Sequence, residues 1–344
     1  MKKLLIVTDA WTPQINGVVT VFNAIIPLLE KRGVSVSVAH PGLFRMIPFP
    51  LYPEVPMVLL PDAKMEEIFE AERPDYVHIA TEWTLGASAR SLCLRENIPF
   101  TTSYHTNLAG FIPHYLKIGI GATTAAAYRY MRWFHNAGLA TMVSSPSVRA
   151  ELRKRGFKNV IPWPFGVDTN FFARNDRLSA SIALKKPVFI YFGRLAREKK
   201  VEEFLGLDLP GTKLVIGDGP YRATLEKKYP EAKFVGYKRG EELVDWLSLA
   251  DVLMFPSRTE TFGLVIVEAL SCGIPVAAHN VTGPKDIITH GVDGFLGEDL
   301  REAALACLSL SRQKCREKAL MFSWEHSADL FLRGIECYSK IPPH

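Results

Sequence analysis

The sequence lacks several patterns that would each assign a class at once. It has no run of about 18 apolar residues, so no membrane-spanning helix is predicted. Its five cysteines form no C-x-x-C pair and no cysteine–histidine ligand spacing, which favours reduced thiols over a zinc site. It also has no D-x-D motif, the kind of carboxylate cluster that holds a diphosphate through a divalent cation. The missing D-x-D motif predicts a protein without an essential metal. The first apolar run is too short for a signal peptide, so a cytoplasmic chain is expected.

Charge is distributed unevenly along the chain. The net charge is only +5, but Phe100 to Trp163 contains eight lysines and arginines against the single acid Glu151. Aromatic residues such as Trp133 are interleaved with these cations. Such asymmetry suggests an anionic partner. Because no nucleic-acid-binding motif accompanies it, an anionic membrane surface is the preferred partner, and a solvated basic face over an apolar core is the alternative.

Short apolar strands alternate with helical patterns, which predicts parallel sheets with right-handed crossovers. The predicted strands are Lys3–Thr8, Val34–Ala39, Tyr76–Ile79 and Phe100–Ser103, then Val188–Phe192, Lys213–Ile216, Val252–Phe255 and Val276–Ala278. A length of 344 residues suits two domains of roughly 150. We therefore predict an α/β chain of two Rossmann-like, doubly wound domains, residues 1–165 and 166–323, followed by a helix over 324–344.

Two glutamates follow the predicted strand Val252–Phe255. Glu260 lies in a polar loop after a Pro-Ser turn, and Glu268 lies about two turns into the next helix. Loops at the carboxyl ends of parallel strands bind ligands, and a helix start offers free backbone N–H groups. Phe262, Gly263 and Leu264 would supply those groups. The spacing alone proves little, because the same spacing occurs at 317 and 325 without strand or turn.

A second polar loop follows the strand Val188–Phe192. Gly193 ends the strand, and Arg194 and Lys199 follow within one loop. Fixed cations stabilise the negative charge that develops on a departing diphosphate. Arginine offers a planar fork for phosphate oxygens and lysine offers a point charge. The loop therefore predicts a diphosphate site, with a solvated charge run as the alternative.

Three further loops hold candidates. Gly17 opens a helix after the first strand, where backbone N–H groups approach a ligand closely. His105 follows the strand Phe100–Ser103 at the ligand-facing edge. Gly217 begins a Gly-Asp-Gly-Pro turn that lacks the third glycine of a dinucleotide fingerprint, which favours a structural turn.

These motifs together resemble the retaining glycosyltransferases of family 4, which have the GT-B fold. In that family the first glutamate of an E-x7-E signature faces the transferred sugar and the second binds the ribose, roles that pass to Glu260 and Glu268. The family loop G-R-L-x-x-x-K-G matches Arg194 and Lys199, while Lys200 replaces its last glycine. The resemblance implies two domains facing a cleft and a last helix that returns to the first domain.

The same resemblance implies further donor contacts. It places a glycine-bearing loop such as that of Gly17 against the donor, and it places His105 on the transferred sugar. It gives Gly217 the position of the family G-D-G-P turn, and it sets Tyr237 and Lys238 beside the nucleotide base. The donor-binding set is therefore Gly17, Gly193, Arg194, Lys199, Gly217, Tyr237, Lys238, Glu260, Phe262, Gly263, Leu264 and Glu268. The predicted catalytic residues are Glu260, His105, Arg194 and Lys199.

The sequence thus predicts a retaining, metal-independent hexosyltransferase that uses a nucleotide-diphosphate sugar. UDP or GDP, and glucose or mannose, stay open. The segment 47–53 and the stretch after His105 are most similar to family members that glycosylate lipids, so the predicted acceptor is a membrane lipid or glycolipid. The alternatives are a soluble acceptor, a non-catalytic protein that binds a nucleotide sugar or a membrane surface, and a glycoside hydrolase, which has no use for Arg194 and Lys199.

Overall fold

The computed structural model describes residues 2–14, 16–49, 52–105, 120–178 and 181–339. The described chain divides into two compact units. The first consists of the residues up to Pro164 together with those from Trp324 onward, and the second runs from Phe165 to Ser323.

The first unit is built on a six-stranded parallel sheet in the order β2-β1-β5-β6-β7-β8, with β3 and β4 as a separate antiparallel pair. Its strands are β1 Lys2–Val7, β2 Val34–Ala39, β3 Met46–Phe49, β4 Tyr52–Val58, β5 Tyr76–Ile79, β6 Phe100–Tyr104, β7 Thr141–Val143 and β8 Val160–Pro162. Its helices before the second unit are α1 Gly17–Lys31, α2 Asp62–Glu72, α3 Thr84–Arg95, α4 Ile120–His135 and α5 Pro146–Lys154.

The second unit repeats the architecture with a parallel sheet in the order β11-β10-β9-β12-β13-β14. Its strands are β9 Val188–Phe192, β10 Thr212–Ile216, β11 Lys233–Phe234, β12 Val252–Phe255, β13 Val276–Ala278 and β14 Gly294–Leu296. Its helices are α6 Val201–Leu205, α7 Arg222–Lys228, α8 Gly240–Ser248, α9 Leu264–Ser271, α10 Pro284–Ile287, α11 Leu300–Cys307 and α12 Arg312–Ala319. The two parallel sheets confirm the predicted fold class.

The last helix, α13 Trp324–Ser339, belongs to the first unit. It packs along α1, where Arg32 Nε donates to Asp329 Oδ1 at 2.7 Å. The buried ring of Phe331 lies against Phe22 of α1, with ring centroids 6.2 Å apart. The indole of Trp163 donates to the carbonyl of Ser327 at 3.2 Å. These contacts fix the helix to the sheet because they join apolar burial to satisfied polar groups.

The eight predicted strands are all present, with ends displaced by one residue at β1, β6 and β10. The structure adds β7, β8, β11 and β14, which have two or three residues each and are too short for a periodic pattern. It also adds the β3–β4 pair, whose strands contain prolines. Proline removes a ladder donor, which excludes these strands from a sheet interior and suits a two-stranded ribbon.

Because every strand of each large sheet is parallel, the carboxyl ends of the strands share one edge. In the second unit the loops after β9, β10, β12 and β13 therefore lie side by side. This edge holds most of the residues that the sequence predicts for ligand binding.

Candidate functional site

The loop after β9 carries two predicted cations on a tightly folded backbone. Gly193 has φ +139°, in the region that favours glycine, and Arg194 is exposed. The Tyr191 hydroxyl donates to the Arg194 carbonyl at 2.8 Å, which holds this corner of the loop. Lys200, where the family has glycine, adopts a left-handed conformation with φ +53°. The replacement thus keeps the glycine-like backbone at the expense of local strain.

Glu260 and Lys199 meet directly. Lys199 Nζ lies 2.9 Å from Glu260 Oε2, and both side chains are largely buried. Burial alone would lower the pKa of Lys199, but the neighbouring Glu260 carboxylate outweighs it and raises that pKa. The other carboxylate oxygen, Oε1, accepts from the backbone N–H of Thr261 at 3.2 Å. The sequence assigns these two side chains separate ligand groups, and the structure brings them into one ion pair that links the β9 and β12 loops.

The Phe-Gly step turns the β12 loop into α9. Phe262 is 3% exposed and packs edge-on against Phe165, at a centroid distance of 5.2 Å. Gly263 has φ +100° and precedes the first helical residue, Leu264. A Cβ at Gly263 would lie 2.9 Å from Ile266 Cδ1, and the positive φ strains any residue with a side chain, so glycine is strongly favoured. Among the residues that the structure describes, no side chain caps this helix start, so its first N–H groups are available to a ligand oxygen.

Glu268 lies on α9, five residues after its N-cap, with an unusual environment. Burial raises the pKa of its carboxyl to about 7. Within the described part of the chain it makes no side-chain hydrogen bond or ion pair. Glu268 is half-buried, and a carboxylate in such a position without donors among the described residues is costly.

The loops after β10 and β11 support the site through their backbones. Gly217 has φ +145°, and a Cβ there would lie 1.9 Å from the carbonyl oxygen of Gly193. Gly217 N–H donates to the Gly236 carbonyl at 2.9 Å. These contacts give Gly217 a steric reason for its identity. Tyr237 is 45% exposed, and Lys238 pairs with Glu242 of α8, so Tyr237 is the more accessible of the two predicted base neighbours.

Sequence reasoning missed a set of groups that hold the β12 loop from its other side. Arg258 reaches Glu298 at 3.1 Å and Glu203 of α6 at 3.4 Å. Glu203 also accepts from His279 Nε2 at 2.8 Å, and His279 Nδ1 faces the Gly297 carbonyl at 3.1 Å. The position of His279 directly after β13, at the ligand-facing edge of the sheet, could have indicated this set from the sequence. These ion pairs fix the loop that carries Glu260.

In the first unit, α1 begins at Gly17 as predicted. Asn16 caps the helix, since its Oδ1 accepts from Val19 N–H at 3.1 Å. His105 directly follows β6, and its Nε2 lies 2.8 Å from Ser103 Oγ. Burial and the nearby His135 lower the pKa of His105 to about 3. The ring is therefore neutral at physiological pH and acts as a hydrogen-bonding group.

The start of α3 is occupied by a carboxylate of the chain itself. Asp9, directly beyond β1, accepts from the backbone N–H of Leu85 at 2.8 Å and of Gly86 at 3.3 Å. It also accepts from the Thr81 hydroxyl at 2.7 Å. A Cβ at Gly86 would lie 1.8 Å from the Thr81 carbonyl oxygen. Asp9 therefore has a capping role at the start of α3 that no sequence motif indicated.

The basic segment is divided between structure and surface. On α4, Tyr128, Met131 and Phe134 are buried core residues, whereas Trp133 is 54% exposed. Arg129 and Arg132 are exposed on the same face as Trp133. Part of the basic segment, with the apolar residues Phe111, Ile112, Tyr115 and Leu116, lies outside the described residues. The exposed face of α4 is therefore basic and aromatic, while its other aromatic residues belong to the core.

Several cations of that segment are engaged. Arg149 and Arg153 both donate to the Val160 carbonyl, and Arg132 donates to the Arg155 carbonyl at 3.1 Å. Arg155 stacks on the Tyr128 ring at 3.6 Å. By contrast, Arg129, Lys154 and Lys158 are exposed and have no side-chain partner within the described ranges.

The described residues contain no cluster of three or more histidine, cysteine or carboxylate side chains that could hold a metal ion. Among the helices that are described, none is both long enough and apolar enough to cross a bilayer.

Comparisons with known proteins agree on both units. Residues 15–171 match the family described as Glycosyltransferase Family 4, and residues 173–322 match Glycosyl transferases group 1. The chain is 31% identical over 317 residues to a GDP-mannose-dependent alpha-mannosyltransferase of Mycobacterium tuberculosis, covering 86% of this chain and 83% of the relative. It is 25% identical over 364 residues to an alpha-monoglucosyldiacylglycerol synthase of Streptococcus pneumoniae, covering 93% and 82%.

Solved structures show the same fold. Sucrose-phosphate synthase from Thermosynechococcus elongatus superposes with a TM-score of 0.77 at 19% identity, covering 97% of this chain and 98% of that one. At that identity the likeness establishes the architecture.

Proposed function

This chain belongs to the glycosyltransferases that pair a family 4 domain with a group 1 domain, and we propose that it transfers mannose from GDP-mannose to an acceptor hydroxyl with retention of anomeric configuration. The named donor of the Mycobacterium tuberculosis relative supports the choice of GDP-mannose over a uridine donor. The edge of the second sheet supports the placement of the donor, since it gathers cations, an uncapped helix start and two carboxylates.

The proposed roles follow from the chemistry of each group. Arg194 and Lys199 neutralise the diphosphate as negative charge develops on it, together with the N–H groups at the start of α9. Glu260 accepts hydrogen bonds from hydroxyls of the transferred sugar. Glu268 accepts the ribose hydroxyls. In the first unit, His105 offers a neutral hydrogen-bonding group to a substrate oxygen.

The Lys199–Glu260 pair is the observation that carries this proposal. It brings a cation suited to phosphate and a carboxylate suited to sugar hydroxyls within 2.9 Å, on two loops of one sheet edge. A sugar diphosphate presents these two complementary chemistries in adjacent positions. A glycoside hydrolase needs two carboxylates across a scissile bond and gains nothing from the lysine.

Retention is proposed to proceed by attack of the acceptor on the same face as the departing diphosphate, whose oxygen takes the acceptor proton. Because the Glu260 carboxylate is paired with Lys199, it is a poor covalent nucleophile, which favours attack on the same face over a covalent intermediate. The cations take the charge-neutralising role that a metal has in D-x-D enzymes, so turnover is expected to persist in excess EDTA.

Donor identity is tested by thermal shift with GDP and UDP, followed by a turnover assay with GDP-mannose. A ligand at 100 times its dissociation constant stabilises by about 2.7 kcal/mol, so the preferred nucleotide should produce the larger shift. NMR of the product gives the anomeric configuration. Equal or larger stabilisation by UDP, or a product of inverted configuration, would contradict the proposal.

The proposed acceptor is a lipid at an anionic membrane surface. The Streptococcus pneumoniae relative is named as a synthase of a glucosylated diacylglycerol, which is a lipid. The exposed face of α4 combines Trp133 with Arg129 and Arg132. Such a face suits the interface of an anionic bilayer, where each cation contributes roughly 1 kcal/mol.

Vesicle co-sedimentation tests this surface with a matched pair of variants. The test variant changes Arg129, Lys154 and Lys158 to Gln, because these cations have no partner to lose within the described ranges. The control changes three exposed lysines of the second unit to Gln, with the same loss of charge: Lys227, Lys285 and Lys314. Binding should require anionic lipid, fade with salt and fall only in the test variant. Equal loss in both variants, or equal binding to neutral vesicles, would favour a soluble acceptor.

A further inference from the structure

Strand β6 is a central strand with an unexpectedly polar interior. Thr101, Thr102 and Ser103 are each 3% exposed or less. Central strands of parallel sheets usually carry apolar runs, since helices cover both of their faces. Side chains alternate along a strand, so Thr101 and Ser103 lie on one face and Thr102 on the other. Buried hydroxyls need partners, and here the partners are histidine rings.

One face of β6 carries a continuous hydrogen-bonded chain. His78 of β5 is fully buried, with Nδ1 2.9 Å from Thr101 Oγ1 and Nε2 3.1 Å from Ser103 Oγ. The same Ser103 Oγ lies 2.8 Å from His105 Nε2. The chain thus runs from Thr101 through His78 and Ser103 to His105 at the carboxyl end of the strand.

A serine hydroxyl has one proton, which couples the two rings. Ser103 can donate to one Nε2 atom and accept from the other, so one of the two nitrogens carries a proton and the other does not. A neutral imidazole carries a single N–H, so the state of Nε2 also decides the state of Nδ1. The tautomer of His105 is therefore linked to that of His78.

The buried threonine sets the direction of the chain. Within the described residues, Thr101 Oγ1 has no hydrogen-bond partner other than His78 Nδ1. If His78 donated to it, the threonine proton would be left without an acceptor, which is costly in a buried site. Thr101 therefore donates to His78 Nδ1, His78 Nε2 donates to Ser103, and Ser103 donates to His105 Nε2. His105 then carries its proton on Nδ1.

The surroundings keep both rings neutral and fixed. Burial lowers the pKa of His78 well below its usual value and that of His105 to about 3. His135 acts electrostatically on both rings, and it faces Thr102 and pairs with Glu82 at 3.2 Å. The rings around His78 carry no charge: Phe22 from α1, Trp163 after β8 and Phe331 from α13. The hydrogen-bonded chain therefore controls the tautomers of His78 and His105 and not their charge.

We propose that His78 and Ser103 are positioning residues that hold His105 as the neutral Nδ1–H tautomer, so that it offers a hydrogen-bond donor to a substrate oxygen. The substrate contact rests on the proposed function. The tautomer assignment rests on the hydrogen-bonded chain alone. A histidine of this kind binds an oxygen acceptor and does not serve as a general base at Nδ1.

Long-range ¹⁵N–¹H NMR of the full chain reads the tautomer of each histidine directly. His105→Gln and His78→Gln assign the signals. The wild type should show Nε2–H at His78 and Nδ1–H at His105. Ser103→Ala should release His105 into a form that includes Nε2–H, and Ser103→Thr should restore the wild-type pattern because it keeps the hydroxyl.

Two neighbouring threonines give a matched control. Thr101→Val removes the hydroxyl that sets the direction and should give both tautomers at His78. Thr102→Val makes the same change on the opposite face of β6 and should leave His78 and His105 as they are. A wild-type His105 in the Nε2–H form, or equal effects of the two valine variants, would overturn the assignment.

Turnover separates the two parts of the proposal. Ser103→Ala should lower kcat about tenfold, the effect of one neutral hydrogen bond, with rescue by Ser103→Thr. A changed tautomer with wild-type kcat and KM would overturn the substrate role of His105. If the wild type transfers no mannose from GDP-mannose, the proposed function fails, and the NMR spectra still decide the tautomer.

Discussion

Replacing Glu268 by Gln should make the protein more stable at neutral pH while impairing nucleotide binding. The carboxyl has no hydrogen-bond or ion-pair partner among the described residues, and burial raises its pKa from the usual 4.5 to about 7. Glutamine has nearly the same shape but no charge. The substitution therefore removes the cost of an ionised buried group without leaving a cavity.

The sign and magnitude follow from linkage. An acid whose pKa is higher in the folded chain holds its proton more tightly there, so the unfolding free energy falls as pH rises from about 4.5 to about 7 and is level above that. A pKa displacement of one is worth about 1.4 kcal/mol, so the rise from 4.5 to about 7 sets an upper bound of about 3.5 kcal/mol. Because the side chain is not wholly shielded from solvent, we expect Glu268→Gln to gain about 1–2 kcal/mol at pH 8 and little at pH 4.5.

Chemical unfolding at several pH values measures this difference. Glu317→Gln is the matched control, since Glu317 is exposed on helix α12 of the same unit. It should change the unfolding free energy by less than about 0.5 kcal/mol at every pH. A gain in Glu268→Gln that does not grow with pH, or a loss of stability at pH 8, would refute the argument from an unpaired carboxyl.

The binding arm tests the role of the same side chain. Ribose hydroxyls would supply the donors that Glu268 lacks, so GDP affinity of the wild type should rise with pH between about 5 and 8. Glu268→Gln should bind GDP more weakly and lose most of that pH dependence. Equal wild-type affinity for GDP and its 2′-deoxy analogue would count against the ribose contact.

Three further substitutions address the neighbouring loops. Glu260→Ala should lower turnover by at least about 100-fold if the side chain positions the reacting sugar, and a folded variant with near-normal turnover would remove it from the site. Arg194→Ala and Lys199→Ala should each weaken the preference for diphosphate over nucleoside by about 2 kcal/mol or more, which calorimetric titration of GDP and guanosine measures; an unchanged preference in both would place the phosphate elsewhere. Lys200→Gly should relieve the strain of the left-handed backbone and stabilise the folded protein by up to about 1 kcal/mol without loss of turnover. A destabilised variant would show that contacts of the lysine side chain contribute more stability than the backbone strain costs.

The central strands and the motif loops were predictable because their signals are local. β9 and β12 are continuous apolar runs bounded by turns, and the motifs directly follow them. The short edge strands were not predictable, since a strand such as β11 has two residues and no periodicity. Their pairing depends on the sheet already formed.

The chemistry of the site was predictable by residue type but not by contact. Nothing in the sequence states that Lys199 pairs with Glu260, which lies 61 positions away. Nor does it show that Glu268 has no side-chain partner among the described residues, because contacts depend on the tertiary structure. The polar run Thr101–Ser103 was a visible exception to the apolar pattern of central strands, and with His78 on the neighbouring strand it would have indicated the histidine chain.

The Asp9 cap on α3 has a consequence for where negative charge can bind. Helix starts bind anions, so a sheet edge with several helix starts offers a phosphate more than one binding position. In the first unit the chain fills the start of α3 with its own carboxylate, bound to two backbone N–H groups. In the described part of the second unit, no side chain caps the start of α9. The Asp9 carboxylate thus prevents a phosphate from binding at the start of α3. Asp9→Asn should allow inorganic phosphate to bind there, where the wild type excludes it.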